Sequence, residues 1–129
     1  MPIIGPNEIN TTNADQGIKK LMVDMLAVQD SITATAGGGQ ANAALVNAMF
    51  ARVTTVATAA DSVKLPPATQ PGLELTIVNA AAANSMNLFP SLGDAINALS
   101  ANTALAVAAN KCVKLICTGR GQWHSILTA

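Results

Sequence analysis

Tyrosine is absent from this chain, and aromatic residues of all kinds make up 2% of its 129 residues. Aromatic side chains bury the most area per residue, so a core without them must be assembled from smaller pieces. The apolar half of the composition is mostly Ala, Val, Leu and Ile. A buried Val or Leu contributes about 1.5–3 kcal/mol, and a buried alanine much less. The composition therefore predicts a thin core, marginal as a monomer and completed by burial between subunits. Charge is scarce as well: 11% of residues are charged and the formal net charge is zero, against roughly 25% charged residues in a typical soluble domain. Such a surface is poorly soluble by itself and is expected to be covered by neighbours.

Other scarcities exclude whole classes of partner. Lys19-Lys20 is the longest basic run, and stacking aromatics are missing, so no nucleic-acid partner is expected. Ala80–Ala83 is too short and weak to span a bilayer, so no membrane partner is expected. The opening MPIIGPNEIN lacks the charged start and apolar run of a signal peptide, which predicts synthesis in a cytoplasm. One histidine and two cysteines without a CxxC spacing predict neither a metal site nor any other cofactor. Cys112 and Cys117 are separated by an odd number of positions. On one strand they point to opposite faces and stay reduced.

What is present falls into two textures. Residues 1–44 read as an N-terminal region. Pro2, Gly5 and Pro6 keep its start extended, and Ile3, Ile4 and Ile9 give that arm apolar contacts. Residues 15–32 carry a helical period, with Ile18, Leu21, Met22, Met25 and Leu26 on one stripe, while Val23, Val28 and the early Gly17 oppose a helix and leave a strand as the alternative. The arm is expected to lie on its own domain or on a neighbour, and the stripe to pack on the same subunit or on a partner; together they are the candidate interface to the capsid and to other subunits. Three glycines in TATAGGGQANAA, Thr33 to Ala44, predict a flexible linker. Deleting residues 1–36 is expected to leave the remaining body folded.

Residues 45–129 have a β texture. RVTTVAT, VKLPP, LELTIVN, MNLFP, TALAVAA, KCVKLICT and QWHSILT are short β-branched or alternating runs, separated by turn residues. SLGDAINAL between them reads as a loop anchored by Ile96 and Leu99. Strands of this length and spacing predict a mainly β protein. Its expected body is an antiparallel β-sandwich or jelly-roll-like domain behind an extended arm and a short helix. Leu75, Ile77, Phe89, Ile96, Leu115, Trp123 and Leu127 are the candidate core.

The last strand holds the only tryptophan and the only histidine side by side. Alternation puts Trp123, Ser125 and Leu127 on one face and Gln122, His124 and Ile126 on the other. Trp123 is the largest apolar group in the chain and is expected inside, its indole N–H meeting a backbone carbonyl. His124 then points outward, away from Ser125, so no nucleophile–base pair forms and no catalytic residue is expected. Asp94 in the turn LGDAIN is expected to bond its own loop.

Four stretches in order, ADSVKLP at 60–66, PGLELTIVN at 71–79, NLFPSLGDAINAL at 87–99 and GQWHSIL at 121–127, resemble a β-domain of small structural proteins of tailed bacteriophages. The resemblance runs from Val53 to Leu127 and leaves the N-terminal region uncovered. It implies a capsid decoration, or cement, protein. Such a protein sits on the outer surface of the icosahedral shell and clamps neighbouring major capsid subunits against internal DNA pressure. Its partners would be the major capsid protein and copies of itself, a homotrimer before a homodimer, and its location the virion. A trimeric fibre or spike component of head or tail shares the texture. A carbohydrate-binding β-module is the third expectation, and it would require an exposed Trp123.

Overall fold

The computed structural model describes residues 28–37 and 39–128. Ten strands and one helical turn follow in order: β1 (Val28–Thr33), α1 (Gly39–Asn42), β2 (Ala44–Leu45), β3 (Phe50–Thr55), β4 (Ser62–Lys64), β5 (Glu74–Asn79), β6 (Met86–Phe89), β7 (Ala95–Ile96), β8 (Leu105–Val107), β9 (Lys111–Gly119) and β10 (Gln122–Leu127). The protein is mainly β. Its strands form a six-stranded sheet, in the order β1-β3-β5-β9-β10-β7, and a four-stranded sheet, in the order β2-β4-β6-β8.

The expected antiparallel body is corrected by this topology, because the sheets are mixed. From β1 to β6 the chain alternates between the two sheets. Each return lays a strand beside its predecessor in the same direction: β1, β3 and β5 are parallel neighbours, as are β2, β4 and β6. Parallel neighbours need a crossover between them. Here the crossover is a pass through the opposite sheet, so the chain winds like a short solenoid. The winding then reverses. β8 pairs antiparallel with β6, β9 antiparallel with β5, and β10 antiparallel with β9, while the two-residue β7 runs parallel to β10.

One apolar cluster joins both sheets. Strand alternation supplies it: Ala51 and Val53 from β3, Leu75 and Ile77 from β5, Val113, Leu115 and Cys117 from β9, and Trp123 from β10 meet Val63, Met86, Leu88 and Val107 from the smaller sheet. Among the buried apolar residues only Ala34, Ala51, Ala68 and Ala81 are alanines. The interior is therefore built mainly of Val, Leu and Ile. Of the candidate core, Leu75, Ile77, Ile96, Leu115 and Trp123 are buried and Phe89 is half-buried. Leu127 is the correction, being 40% exposed. Among the described residues only β7 lies outside β10, and it reaches Gln122 and Trp123, so none of them covers the last half of β10 on that side. Both thiols are free, with Cys117 buried and Cys112 half-buried.

The N-terminal expectations change most. Residues 28–32, assigned to a helix by periodicity, belong to β1, which pairs with β3. Ser31 has φ 56°, a left-handed conformation that a helix interior does not accommodate. Between Gln29 and Ile32 the register with β3 shifts, so Ser31 sits at a bulge. Since β1 and β3 share a sheet, no boundary separates residues 28–44 from the body. The expected linker is structured too. Thr35 bridges Ser62, and Gly37 and Gly39, both near φ +60°, turn the chain into α1. A deletion through residue 36 thus removes a sheet strand. The arm, the first part of the expected helix, and Ile3, Ile4, Ile9, Ile18, Leu21, Met22, Met25 and Leu26 lie outside the described residues.

Candidate interaction surface

Residues 90–102 form a braced loop on which one large apolar side chain stands out. Gly93 N–H donates to Asn102 Oδ1 at 2.7 Å, and Asn102 N–H donates to the Asp94 carbonyl at 2.9 Å. Gln40 of α1 donates to the Pro90 carbonyl and to Asn102 Oδ1. Asp94 anchors the loop on another part of the fold: its Oδ2 accepts the Ala68 N–H at 2.8 Å. This differs from the expected bond within its own turn. The N–H groups of Ala95 and Asn97 that follow Asp94 donate to the Gly121 and Trp123 carbonyls, and the carboxylate holds the Ala68 segment instead. At the tip, Leu92 is 82% exposed. A leucine displayed on a loop with this many fixed bonds is already ordered, so a contact there loses little conformational entropy.

A second apolar feature lies at the corner where β2 turns into β3 and β4 into β5. A cavity of about 440 Å³ is lined by residues 45–49, Pro66, Pro67, Leu73 and Leu75, with Asn47 the one polar side chain among them. Its floor is continuous with the core, because Met49 and Leu73 pack against the buried cluster. Around it Val28, Leu45 and Phe50 are exposed. Gln29 fixes the rim: its Nε2 donates to the Leu45 carbonyl at 2.9 Å and its Oε1 accepts the Asn47 N–H at 2.8 Å. Next to it, Asp30 Oδ1 accepts the Ser31 N–H at 2.7 Å and lies 3.0 Å from the Arg52 guanidinium. The Ser31 N–H, then Arg52, hold the Asp30 carboxyl below its ordinary value. A third exposed apolar pair, Ile126 and Leu127, ends β10.

The polar residues weighed for chemistry are held in structural bonds. His124 is exposed, with Nδ1 2.7 Å from Thr118 Oγ1 on β9. Ser125 Oγ accepts from Asn97 Nδ2 at 2.7 Å, on a different partner from His124. Asp61 accepts the Thr58 N–H. Among the described residues no group of three or more His, Cys, Asp or Glu side chains could hold a metal ion, and no helix is long and apolar enough to cross a membrane. Trp123 is fully buried, so it offers no platform for a sugar ring; its indole N–H has no hydrogen-bond partner, where a backbone carbonyl was expected.

Sequence reasoning missed Leu92, Leu45, Phe50 and Gln29. Leu92 had a signal, since a lone leucine between Pro90 and Gly93 sits where turn residues leave it little to pack on. The corner had none: parallel stacking brings residues 45–49 beside residues 66–73, and no local pattern encodes that. Comparison with family models finds no match, and comparison with curated proteins finds no relative.

Proposed function

We propose that this protein is a tailed-bacteriophage capsid decoration protein. It binds the outer surface of the shell and bridges neighbouring major capsid subunits. The observation that carries the reading is Leu92, a large apolar group held out to solvent on a loop whose base is tied to α1, to Ala68 and to itself. The loop belongs to NLFPSLGDAINAL, one of the stretches carrying the phage resemblance. Low charge without net sign suits close lateral packing, and the two sheets closing on one core serve as the sandwich-like body. Many copies of a modest contact, repeated over a closed shell, sum through effective concentration. Bridged joints resist outward pressure mechanically, and the reading assigns no turnover and no cofactor. Copies would associate as trimers before dimers, on the virion surface.

The test is co-sedimentation of the purified protein with emptied phage heads stripped of their own decoration. Saturable binding is expected, in proportion to the number of major capsid subunits. Leu92→Asp should abolish it while leaving the melting temperature within a few degrees, because exposed substitutions typically change stability by less than about 0.5 kcal/mol. Unchanged binding of the Leu92→Asp variant would remove the loop from the contact. Truncation that tests the arm should stop at residue 27, since β1 begins at Val28.

The winding favours one further reading, a trimeric fibre or spike component of head or tail. Wound sheets that end on a bare strand can continue lengthwise into another chain. A fibre predicts a few copies per particle at one vertex or on the tail. A shell clamp predicts copies over the whole lattice.

A further inference from the structure

Among the described residues both sheets end on strands of the same coil, β1 in one and β2 in the other, each paired there on one side only. Partner residues on successive parallel strands lie one coil apart, roughly 20–25 residues, as in Val28 opposite Phe50 and Ser62 opposite Asn87. Residues 1–27 precede β1, about the length of one more coil. A wound stack needs its end covered, because bare edges and end faces pair with other chains.

The apolar corner groove is where such a coil would enter. Residues 45–49 carry the chain into β3 and residues 65–73 carry it into β5, so the chain entering β1 comes down onto the same corner. The described chain begins there: Gln29 is bonded to the Leu45 carbonyl and the Asn47 N–H, both on the groove's rim. A chain spans at most about 3.3–3.6 Å per residue. Leu26 is therefore within about 7 Å of Val28, and Leu21 to Met25 follow within reach. The chemistry also matches, since an almost wholly apolar lining faces a segment rich in Leu and Met. A segment tethered at the rim has an effective concentration in the millimolar range, which an untethered partner must exceed.

We propose that residues 15–27 of this same chain dock in the corner groove through Leu21, Met22, Met25 and Leu26, capping the N-terminal end of the wound sheets. Residues 1–14 then remain for contacts outside the subunit. The cap does not rest on the shell-binding reading.

Methyl NMR on the full chain, labelled at the methionine methyls, tests it in the free protein. Nuclear Overhauser contacts are expected from the Met22 or Met25 methyl to that of Met49 in the groove. The double variant Leu21→Asp, Met25→Asp should abolish the remaining contact and shift the Met49 resonance, while the Trp123 indole signal stays in place and reports an intact core. Absence of the contacts, with Met49 unmoved in the variant, overturns the proposal. Contacts that arise only between differently labelled copies in a mixed sample also overturn it, and assign the groove to a second copy. Either failure leaves shell binding by Leu92 untouched.

Discussion

At one end of the wound sheets the chain turns back on itself; at the other the described residues stop on β1 and β2. Where the winding reverses, antiparallel strands complete both sheets, and the outermost strands there, β7 and β8, have two and three residues. Edges that short offer little for another chain to pair with. At the opposite end the six-stranded sheet stops on β1, six residues long, beside exposed Val28, Leu45 and Phe50. That edge is protected by other means. The bulge at Ser31 breaks its regularity, and Asp30 puts a charge on it. The reversed end is held by packing; the unreversed end is held by polar clasps around an apolar groove. Stability should therefore concentrate around β9 and β10, and local opening around β1 and β2.

The largest expected effect breaks the packed end. Trp123→Ala should cost about 3–5 kcal/mol, since it removes the largest fully buried side chain. Equilibrium denaturation measures it. Val28→Ala, on β1 and 58% exposed, should cost less than about 0.5 kcal/mol. Equal costs at the two sites would end the distinction between them. Trp123→Phe should cost much less than Trp123→Ala. It keeps most of the ring and removes an indole N–H that is buried without a partner, a state that costs about 1–3 kcal/mol for a polar group.

The packed end was also the legible one. The alternation in LELTIVN and QWHSILT places Leu75, Ile77 and Trp123 inward, because a strand between a core and solvent has a strict period of two. KCVKLICT reads the same way for Val113, Leu115 and Cys117. Strand direction was not legible. A short strand beside a turn looks alike in a hairpin and in a coil, and the partners of β3 lie a coil away with unequal spacings and no sequence repeat. The same blindness hid the groove, which exists only because successive corners stack. Residues 28–32 misled for another reason: Ile32 continues the spacing set by Leu21 and Met25, and although β-branched Val28 spoke for a strand, only tertiary pairing with β3 decides between the two. Leu127 was misplaced because alternation tells which face a residue takes but not where the covering layer stops.

A smaller effect probes the joint between the two ends. Asn79 closes β5, the last of the parallel strands in its sheet, and its buried side chain donates to the carbonyls of Val107 on β8 and of Asn84, and accepts the Ala81 N–H. It thereby ties the six-stranded sheet to the four-stranded one where the winding reverses. Asn79→Ala leaves these backbone groups without that partner and should cost about 1–3 kcal/mol. Hydrogen exchange would locate the loss. Faster exchange is expected at Ala81 and across residues 80–85, with little change in β1. A change spread evenly over the whole chain would mean that the two ends unfold as one unit and that Asn79 is no special joint.

The smallest effect belongs to the clasp on the open end, and its sign follows from Asp30. The Ser31 N–H and the Arg52 guanidinium favour the ionised carboxylate, so its folded value lies below the ordinary 3.8. A depressed carboxyl adds stability that is complete above the unfolded value and lost as pH falls through the folded one. The pair is exposed, and water and salt screen it. Its loss should therefore loosen the bulge of β1 without unfolding the body. Titrating the Asp30 carboxyl by NMR should give a midpoint below 3.8, with Ser31 amide exchange accelerating through the same window. Asp30→Asn should show that faster exchange at neutral pH, and the difference from the native chain should vanish once the native carboxyl is protonated. If the variant and the native chain exchange alike at neutral pH, the bulge is held by the β3 pairing alone, and the open edge owes its shape to backbone geometry rather than to charge.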